Sequence, residues 1–195
     1  FIVHGISGSG KTALMAQAFT EADEKVAATK VRQLKLARFI GATPGSANLR
    51  SLLTELCQQI SRAFEFEKLR EEEETATSAL MDKDRRKEME RIERKYTIPE
   101  DLNKLIEYFR ELLTMIPEQG KLLLFLDALD QFEEEGSPHR LTWLPKSLPS
   151  NVRMVLSVLE RPNQAAGRTF QTAGKLFPTA LYEIAPLSSD DSEKL

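Results

Sequence analysis

The sequence has few of the residues that build disulfide scaffolds, zinc sites or membrane spans. Its 195 residues include one cysteine and two histidines, which is too few for an internal disulfide and makes a structural zinc site very unfavourable. The longest apolar run, residues 122–126, falls far short of the roughly 20 residues that cross a bilayer. With 29% charged residues and a mean hydropathy of -0.35, the composition excludes a membrane protein.

The sequence also lacks an excess of positive charge. Its formal net charge is -3, whereas proteins that neutralise nucleic-acid phosphates normally carry a basic surplus. No charged-then-apolar leader is visible at the start. We therefore expect a soluble cytoplasmic domain whose partners include neither nucleic acid nor a membrane.

Both ends of the sequence suggest that it continues in a longer protein. Residues 1–4 are apolar and β-prone from the first position, and residues 188–193 are rich in the serine and aspartate that cap helices. We interpret residues 1–195 as one core domain cut from a longer chain. Residues 186–195 would then open a following helical segment.

Strand-like and helix-like patterns alternate along the sequence, which is typical of a parallel sheet covered on both faces. The third helix is expected to begin at Pro99, because proline suits a first helical turn, and the second is expected to follow a cap at Ser46. The fold class is therefore α/β with three layers. Strands are expected at residues 1–4, 34–40, 122–126, 152–159 and 180–184, and helices at 11–24, from 48, from 99 and at 164–176.

Residues 65–95 interrupt this alternation with a long run of charged side chains. Met89, Ile92 and Tyr96 form only a thin apolar stripe at helical spacing. The favoured interpretation is a charged helical insertion, either a solvated hairpin or a partly disordered segment. The alternative is a surface for a partner or for another copy of the protein.

A glycine-rich segment at residues 5–12 fits the pattern G-x-x-x-x-G-K-[ST] at every fixed position. A strand-like run precedes it and a helix-like run follows, as a phosphate-binding loop requires. Backbone N–H groups and the helix N-terminus would cradle phosphates, with Lys11 reaching the outer phosphates. The expected nucleotide-binding residues are Gly5, Ser7, Gly8, Ser9, Gly10, Lys11, Thr12 and Ala13.

A magnesium site is expected beside this loop. The apolar run 122–126 ends at Asp127, which with the Thr12 hydroxyl would hold Mg²⁺. Asp130 follows as the candidate that orients or deprotonates the attacking water, while Gln131 and Glu133 are weaker candidates. ATP or ADP is favoured over GTP, because the sequence has no Asn-Lys-x-Asp motif to read guanine.

These motifs together resemble the NACHT group of STAND signalling ATPases, and the stretch 143–157 is similar to the NACHT modules of nephrocystin-like and telomerase-associated proteins. The resemblance rests on the loop at 5–12, the segment 38–43, the acidic segment 127–130 and the stretch 143–157. It implies strand order 2-3-4-1-5, a sensor arginine at Arg161 before Pro162, and neighbouring winged-helix, WD40 or TPR segments in the same chain. It also implies a nucleotide-dependent conformational or oligomerisation switch, with a homo-oligomer in the ATP state.

Two departures from the family pattern bear on catalysis. Gln131 stands where a second acid is usual, and the link from strand four to Arg161 is longer than usual. We therefore expect slow ATP hydrolysis, with Asp130, Lys11 and Arg161 as the catalytic residues. A P-loop phosphotransferase and a nucleotide-binding scaffold without turnover remain as alternatives.

Two further residues have competing interpretations. Cys57 lies among leucines on a helix-like pattern, which favours a packed core thiol over a nucleophile. Trp143 either packs a connection against the sheet or stacks on the adenine.

Overall fold

Five parallel strands form a single sheet in the order β2-β3-β4-β1-β5. The computed structural model describes residues 1–24, 32–160 and 167–185. The order 2-3-4-1-5 that the resemblance implied is confirmed. The strands are β1 (Ile2–Gly5), β2 (Gln33–Phe39), β3 (Lys121–Asp127), β4 (Val152–Leu159) and β5 (Leu181–Glu183).

Helices cover both faces of this sheet, so the α/β prediction with three layers is confirmed. Val3 and Phe125 face one side, where Met15 of the first helix packs on them. The opposite side carries the larger core, to which the second and fifth helices contribute their leucines. The helices are α1 (Lys11–Glu24), α2 (Leu49–Ala63), α3 (Phe66–Ala76), α4 (Asp82–Tyr96), α5 (Leu102–Met115) and α6 (Arg168–Leu176). No helix in the described ranges is long and apolar enough to cross a membrane.

Two helix starts differ from the sequence prediction. The side chain of Asn48, not Ser46, caps α2 by accepting a hydrogen bond from the backbone N–H of Ser51 at 3.1 Å. Helix α5 begins at Leu102 rather than at Pro99, because the Asp101 carboxylate caps it through the N–H of Lys104 at 3.0 Å. In both cases a side-chain acceptor three residues before a free N–H sets the boundary.

Trp143 belongs to the core and is 1% exposed. Its indole N–H donates to the carbonyl of Pro138 at 3.1 Å, and its ring meets Phe132 edge-on with centroids 5.9 Å apart. A buried, hydrogen-bonded indole has no face left for a base. Trp143 therefore packs a connection against the core, and the alternative of adenine stacking on it is wrong.

The charged stretch 65–95 forms two helices, α3 and α4, which pack on each other as a hairpin. Glu73 of α3 accepts hydrogen bonds from the Lys95 ammonium and, at 2.9 Å, from the Tyr96 hydroxyl of α4. Burial disfavours the charge on Glu73, but the bonds from Lys95 and Tyr96 outweigh it and lower the pKa of this carboxyl. Ile92 is fully buried on the inner face of α4.

Cys57 of α2 is fully buried, and burial raises the pKa of its thiol to about 12. Because the thiolate is the reactive form, we expect iodoacetamide to label native protein more than about 100-fold more slowly than unfolded protein at pH 8. The sequence has one cysteine, so mass spectrometry of intact protein with and without urea reads this site alone. Equal labelling rates in the two conditions would contradict a packed core thiol.

Candidate phosphate-binding site

The carboxyl ends of β1, β3 and β4 meet at one edge of the sheet around a cavity of about 450 Å³. In open α/β sheets this edge is where ligands bind. The loop after β1 forms one wall, and the segment after β3 forms the other. The lining residues are Ser7, Gly8, Ser9, Gly10, Lys11, Thr12, Ala13, Asp127, Ala128, Asp130, Gln131, Ser157 and Leu159. The structure thus brings most of the sequence-predicted site residues together.

The path of the loop depends on glycine at two of its positions. A Cβ on Gly5 would lie 2.6 Å from the carbonyl oxygen of Ile184 and 2.8 Å from the Ser9 hydroxyl, so any larger residue would displace the loop. Gly8 has φ +80°, a left-handed conformation that glycine adopts without strain. Helix α1 begins at Lys11, and its first N–H groups have no partner within the helix. The loop therefore presents free donors to the cavity.

The Lys11 ammonium is anchored at the base of this loop. Its Nζ donates to the carbonyl oxygens of Gly5 at 2.9 Å and Ile6 at 2.8 Å. Burial lowers the pKa of Lys11, while the charges of Asp130 and Asp127 act in the opposite direction. A cation at the N-terminus of α1 adds to the positive end of the helix dipole, so the site favours anions.

A chain of hydrogen bonds joins the loop to the two central strands. The Thr12 hydroxyl donates to Oδ2 of Asp127 at 2.7 Å, and the Ser157 hydroxyl donates to Oδ1 of the same carboxylate. The Ser157 oxygen in turn accepts from the N–H of Ala128 at 2.8 Å. Asp127 is 5% exposed and Ser157 is 1% exposed. Both oxygens of a buried carboxylate are thus fixed in direction.

Sequence reasoning missed Ser157, which orients the Asp127 carboxylate. A signal was present, because Ser157 is a small polar residue between Leu156 and Val158 in an otherwise apolar strand end. Such a residue in a buried strand needs a hydrogen-bond partner. Only the pairing of β3 with β4 reveals that this partner is Asp127.

The donor set fits a magnesium nucleotide. Mg²⁺ prefers oxygen ligands and is usually held by one or two protein groups together with substrate phosphates and water. The Thr12 hydroxyl and the Asp127 carboxylate lie side by side at the cavity and supply such oxygens. Among the described residues, no group of three or more His, Cys, Asp or Glu side chains could hold a metal by itself, so phosphate oxygens would complete the shell.

Asp130 lies in the short turn Leu129–Gln131 that follows β3. Its Oδ1 accepts from the N–H of Leu159 at 2.8 Å, and its Oδ2 accepts from the side-chain amide of Gln131 at 2.7 Å. Asp130 therefore ties the segment after β3 to the end of β4. Its carboxylate faces the cavity, but both of its oxygens already have partners.

Two other candidates are placed differently. Arg161 lies outside the described residues, as does the segment 186–195. Glu133 is exposed and does not line the cavity. Glu160, which the sequence analysis did not select, directly follows β4 beside the loop. Its N–H donates to Gly5 O at 3.0 Å, and its carboxylate contacts His4 Nδ1 at 3.1 Å.

Comparison with known proteins gives related chains and a related fold. A family model described as "AAA ATPase domain" matches residues 1–158. Human NACHT and WD repeat domain-containing protein 2 is 28% identical over 166 residues, covering 84% of this chain and 8% of that protein. Human NACHT domain- and WD repeat-containing protein 1 is 23% identical over 198 residues, covering 100% of this chain and 11% of that protein.

These relatives confirm the resemblance to NACHT proteins, and the chain spans about a tenth of their length. Among solved structures, "Structure of Drosophila ORC bound to AT-rich DNA and Cdc6" matches with a TM-score of 0.50 at 14% identity, covering 98% of this chain and 51% of that chain. At this identity the match concerns the fold alone.

Replacing Ser157 by alanine is expected to destabilise the protein by about 1–3 kcal/mol, because it leaves Asp127 Oδ1 and the Ala128 N–H buried without their partner. Urea denaturation followed by circular dichroism measures this difference. Ser147→Ala serves as the control, since Ser147 is exposed. A Ser157→Ala variant as stable as the control would show that the Ser157 hydrogen bonds contribute nothing.

Proposed function

Because the chain belongs to the AAA ATPase domain family, we propose that this nucleotide-binding NTPase module binds Mg·ATP and Mg·ADP and acts as a nucleotide-dependent conformational switch with slow hydrolysis. The observation that carries the proposal is the contact between Thr12 and Asp127 at the mouth of the phosphate loop. It places a hydroxyl and a carboxylate, both suited to Mg²⁺, next to free N–H donors and the Lys11 ammonium.

Each residue of the site has a part in binding. The N–H groups of residues 8–13 and the start of α1 hold phosphate oxygens. Lys11 exchanges its bonds with the carbonyls of Gly5 and Ile6 for bonds to the outer phosphates. Its positive charge then lies beside the negative charge of these phosphates. When bound, Mg²⁺ neutralises negative charge on the phosphates. Thr12 and Asp127 hold it, and Ser157 keeps the Asp127 carboxylate turned toward the site.

Asp130 is the proposed residue that orients the attacking water and takes its proton. At Oδ2 the water competes with the Gln131 amide for the acceptor sites, while Oδ1 keeps its bond to the Leu159 N–H. This competition supports slow hydrolysis. Gln131, in the place of a second acid, cannot take the proton in its stead. Arg161 remains a proposed γ-phosphate contact.

The switch would act through the connections between the site and the rest of the fold. Asp130 binds the end of β4, and the segment after β3 contacts α6 through Glu134, whose carboxylate pairs with Arg168. His139 of the same segment hydrogen-bonds the Thr169 hydroxyl of α6 at 2.7 Å. A change at the outer phosphate that moves Asp130 would therefore also move α6, and with it whatever segment follows in the longer chain.

The second candidate is a nucleotide-binding scaffold without turnover. Both Asp130 oxygens already accept hydrogen bonds, and this observation supports the scaffold as well as slow hydrolysis. The two candidates have the same binding site. They differ only in whether Asp130 can take a proton from the attacking water. Neighbouring winged-helix, WD40 or TPR segments and an ATP-dependent homo-oligomer are part of the proposal for the longer chain.

The variant Lys11→Ala is expected to weaken ATP binding about 10- to 100-fold, because it removes a charge-assisted bond to phosphate. Isothermal titration with Mg·ATP measures the affinity. Lys146→Ala is the matched control, since Lys146 is an exposed lysine away from the cavity. Unchanged affinity in the Lys11 variant would remove the central claim of the proposal.

The variant Asp130→Asn tests catalysis separately from binding. Its amide oxygen can still accept from the Leu159 N–H, so nucleotide affinity should change little. An amide cannot take a proton, so we expect the single-turnover rate to fall about 100-fold or more. Quenched-flow measurement with labelled ATP gives the rate. A wild type without turnover above background would favour the scaffold without turnover over the switch. An unchanged rate in the variant would show that a residue other than Asp130 is the general base.

A further inference from the structure

We propose that the turn after β2 holds the side-chain amide of Gln131 against Asp130 and thereby slows hydrolysis. Gly41 and Gln131 are then positioning residues, because they act through Asp130 and neither of them takes the proton. The inference rests on the proposed function, since it concerns the regulation of that same site. The turn comprises residues 40–47, all of which are described, and none of them lines the phosphate cavity.

The turn is joined at both of its ends to the segment that follows β3. At its start, the N–H of Ile40 donates to the carbonyl of Asp127 at 3.1 Å. At its end, the carbonyl of Ala47 accepts from the N–H of Glu133 at 3.0 Å. Ile40 is also part of the larger core. These contacts fix the turn along the segment 127–133, which contains Asp130 and Gln131.

Between these two bonds the turn passes close to the Gln131 side chain, and this approach requires glycine. A Cβ on Gly41 would lie 3.0 Å from Cβ of Gln131 and 3.6 Å from its Cγ. Gly41 also has φ +77°, a left-handed conformation that glycine adopts without strain. The backbone of the turn therefore closes one side of the Gln131 side chain and leaves no space there for another carbon atom.

On its other side, Gln131 is directed at Asp130. Its backbone N–H donates to the carbonyl of Ala128 at 2.9 Å, which fixes the short turn after β3. Its side-chain amide donates to Oδ2 of Asp130 at 2.7 Å. Gln131 is exposed, so water competes for this amide. Because Gly41 closes one of the directions that the side chain could take, the contact favours the bond to Asp130.

Asp130 is therefore connected to both strands that pair with β3. Its Oδ1 accepts from the Leu159 N–H at the end of β4, and its Oδ2 is connected through Gln131 to the turn after β2. A shift of that turn would change the access of water to Oδ2 and leave the bond at Oδ1 in place. The turn thus acts on hydrolysis without a contact to the phosphate loop.

The test compares single-turnover hydrolysis of Mg·ATP in wild type, Gln131→Met and Gly41→Ala. Methionine keeps the Cβ and Cγ that contact Gly41 but has no amide to donate. Water then gains Oδ2, and we expect the rate to rise about 3- to 10-fold. The added Cβ in Gly41→Ala displaces Gln131 by a few tenths of an ångström and distorts its bond to Asp130, so the rate should rise about 2- to 5-fold.

Gly45→Ala is the matched control. Gly45 lies in the same turn with φ +82°, so alanine strains the backbone there to a similar degree, but its Cβ would meet nothing within 4 Å. Its rate is expected to equal that of wild type. The double variant Gly41→Ala/Gln131→Met should be no faster than Gln131→Met, because it has no amide to displace. Additive effects in the double variant would show that Gly41 acts on the fold instead, which overturns the proposal.

Circular dichroism and Mg·ATP affinity, both expected to match wild type, show that the variants are folded. A Gln131→Met rate equal to or below that of wild type overturns the proposal, as does an equal rise in Gly41→Ala and Gly45→Ala. If wild type has no turnover above background, turnover that appears in Gln131→Met supports the proposal, and its absence there overturns it.

Failure of this inference is distinguishable from failure of the proposed function. Loss of turnover in Asp130→Asn, together with an unchanged rate in Gln131→Met, removes this inference alone. An unchanged rate in Asp130→Asn removes the general base of the proposed function, and the inference with it.

Discussion

The position of β4 between β1 and β3 is the constraint on which the site depends. Parallel pairing on both sides of β4 places Ser157 next to Asp127 and the Leu159 N–H next to Asp130. If β1 and β3 were direct neighbours, the phosphate loop would face Asp127 without an intervening strand, and no residue of β4 would contact the carboxylate. The strand order thus determines which polar groups surround the Asp127 oxygens.

Burial of Asp127 makes that arrangement necessary. A carboxylate that is 5% exposed pays a desolvation penalty unless hydrogen bonds and nearby charge compensate it. The hydroxyls of Thr12 and Ser157 provide two bonds, and Lys11 provides the charge. The same groups that stabilise the buried carboxylate also direct it at the cavity. Folding therefore fixes the Asp127 carboxylate before any nucleotide arrives, whereas Lys11 still has to exchange its carbonyl partners.

Features carried by short motifs or by the family resemblance could be predicted from sequence, and features set by individual side-chain contacts could not. The glycine-rich loop and Asp127 are predicted from short motifs, and the strand order is predicted from a family resemblance. Neither source requires knowledge of side-chain contacts. Ser157 was missed because its role depends on the register between β3 and β4. The sequence predicts the wrong starts for α2 and α5, because serine and proline are both common at helix starts. The capping residues are Asn48 and Asp101, and the side chain of each accepts a hydrogen bond from one backbone N–H. The sequence alone allows Trp143 to pack in the core or to stack on adenine, and only its burial decides between the two.

In the proposed function, a switch and an efficient catalyst place opposite demands on Asp130. A rapid general base needs a free lone pair directed at water, whereas a reporter of nucleotide state needs firm bonds to the elements it moves. Here Oδ1 holds the end of β4, and Oδ2 is engaged by Gln131, the residue that replaces a second acid. An ionised acid at that position could not donate to Oδ2 and would leave this oxygen to water, which would favour turnover. If Asp130 acts as proposed, this glutamine shifts the balance toward a long-lived nucleotide state.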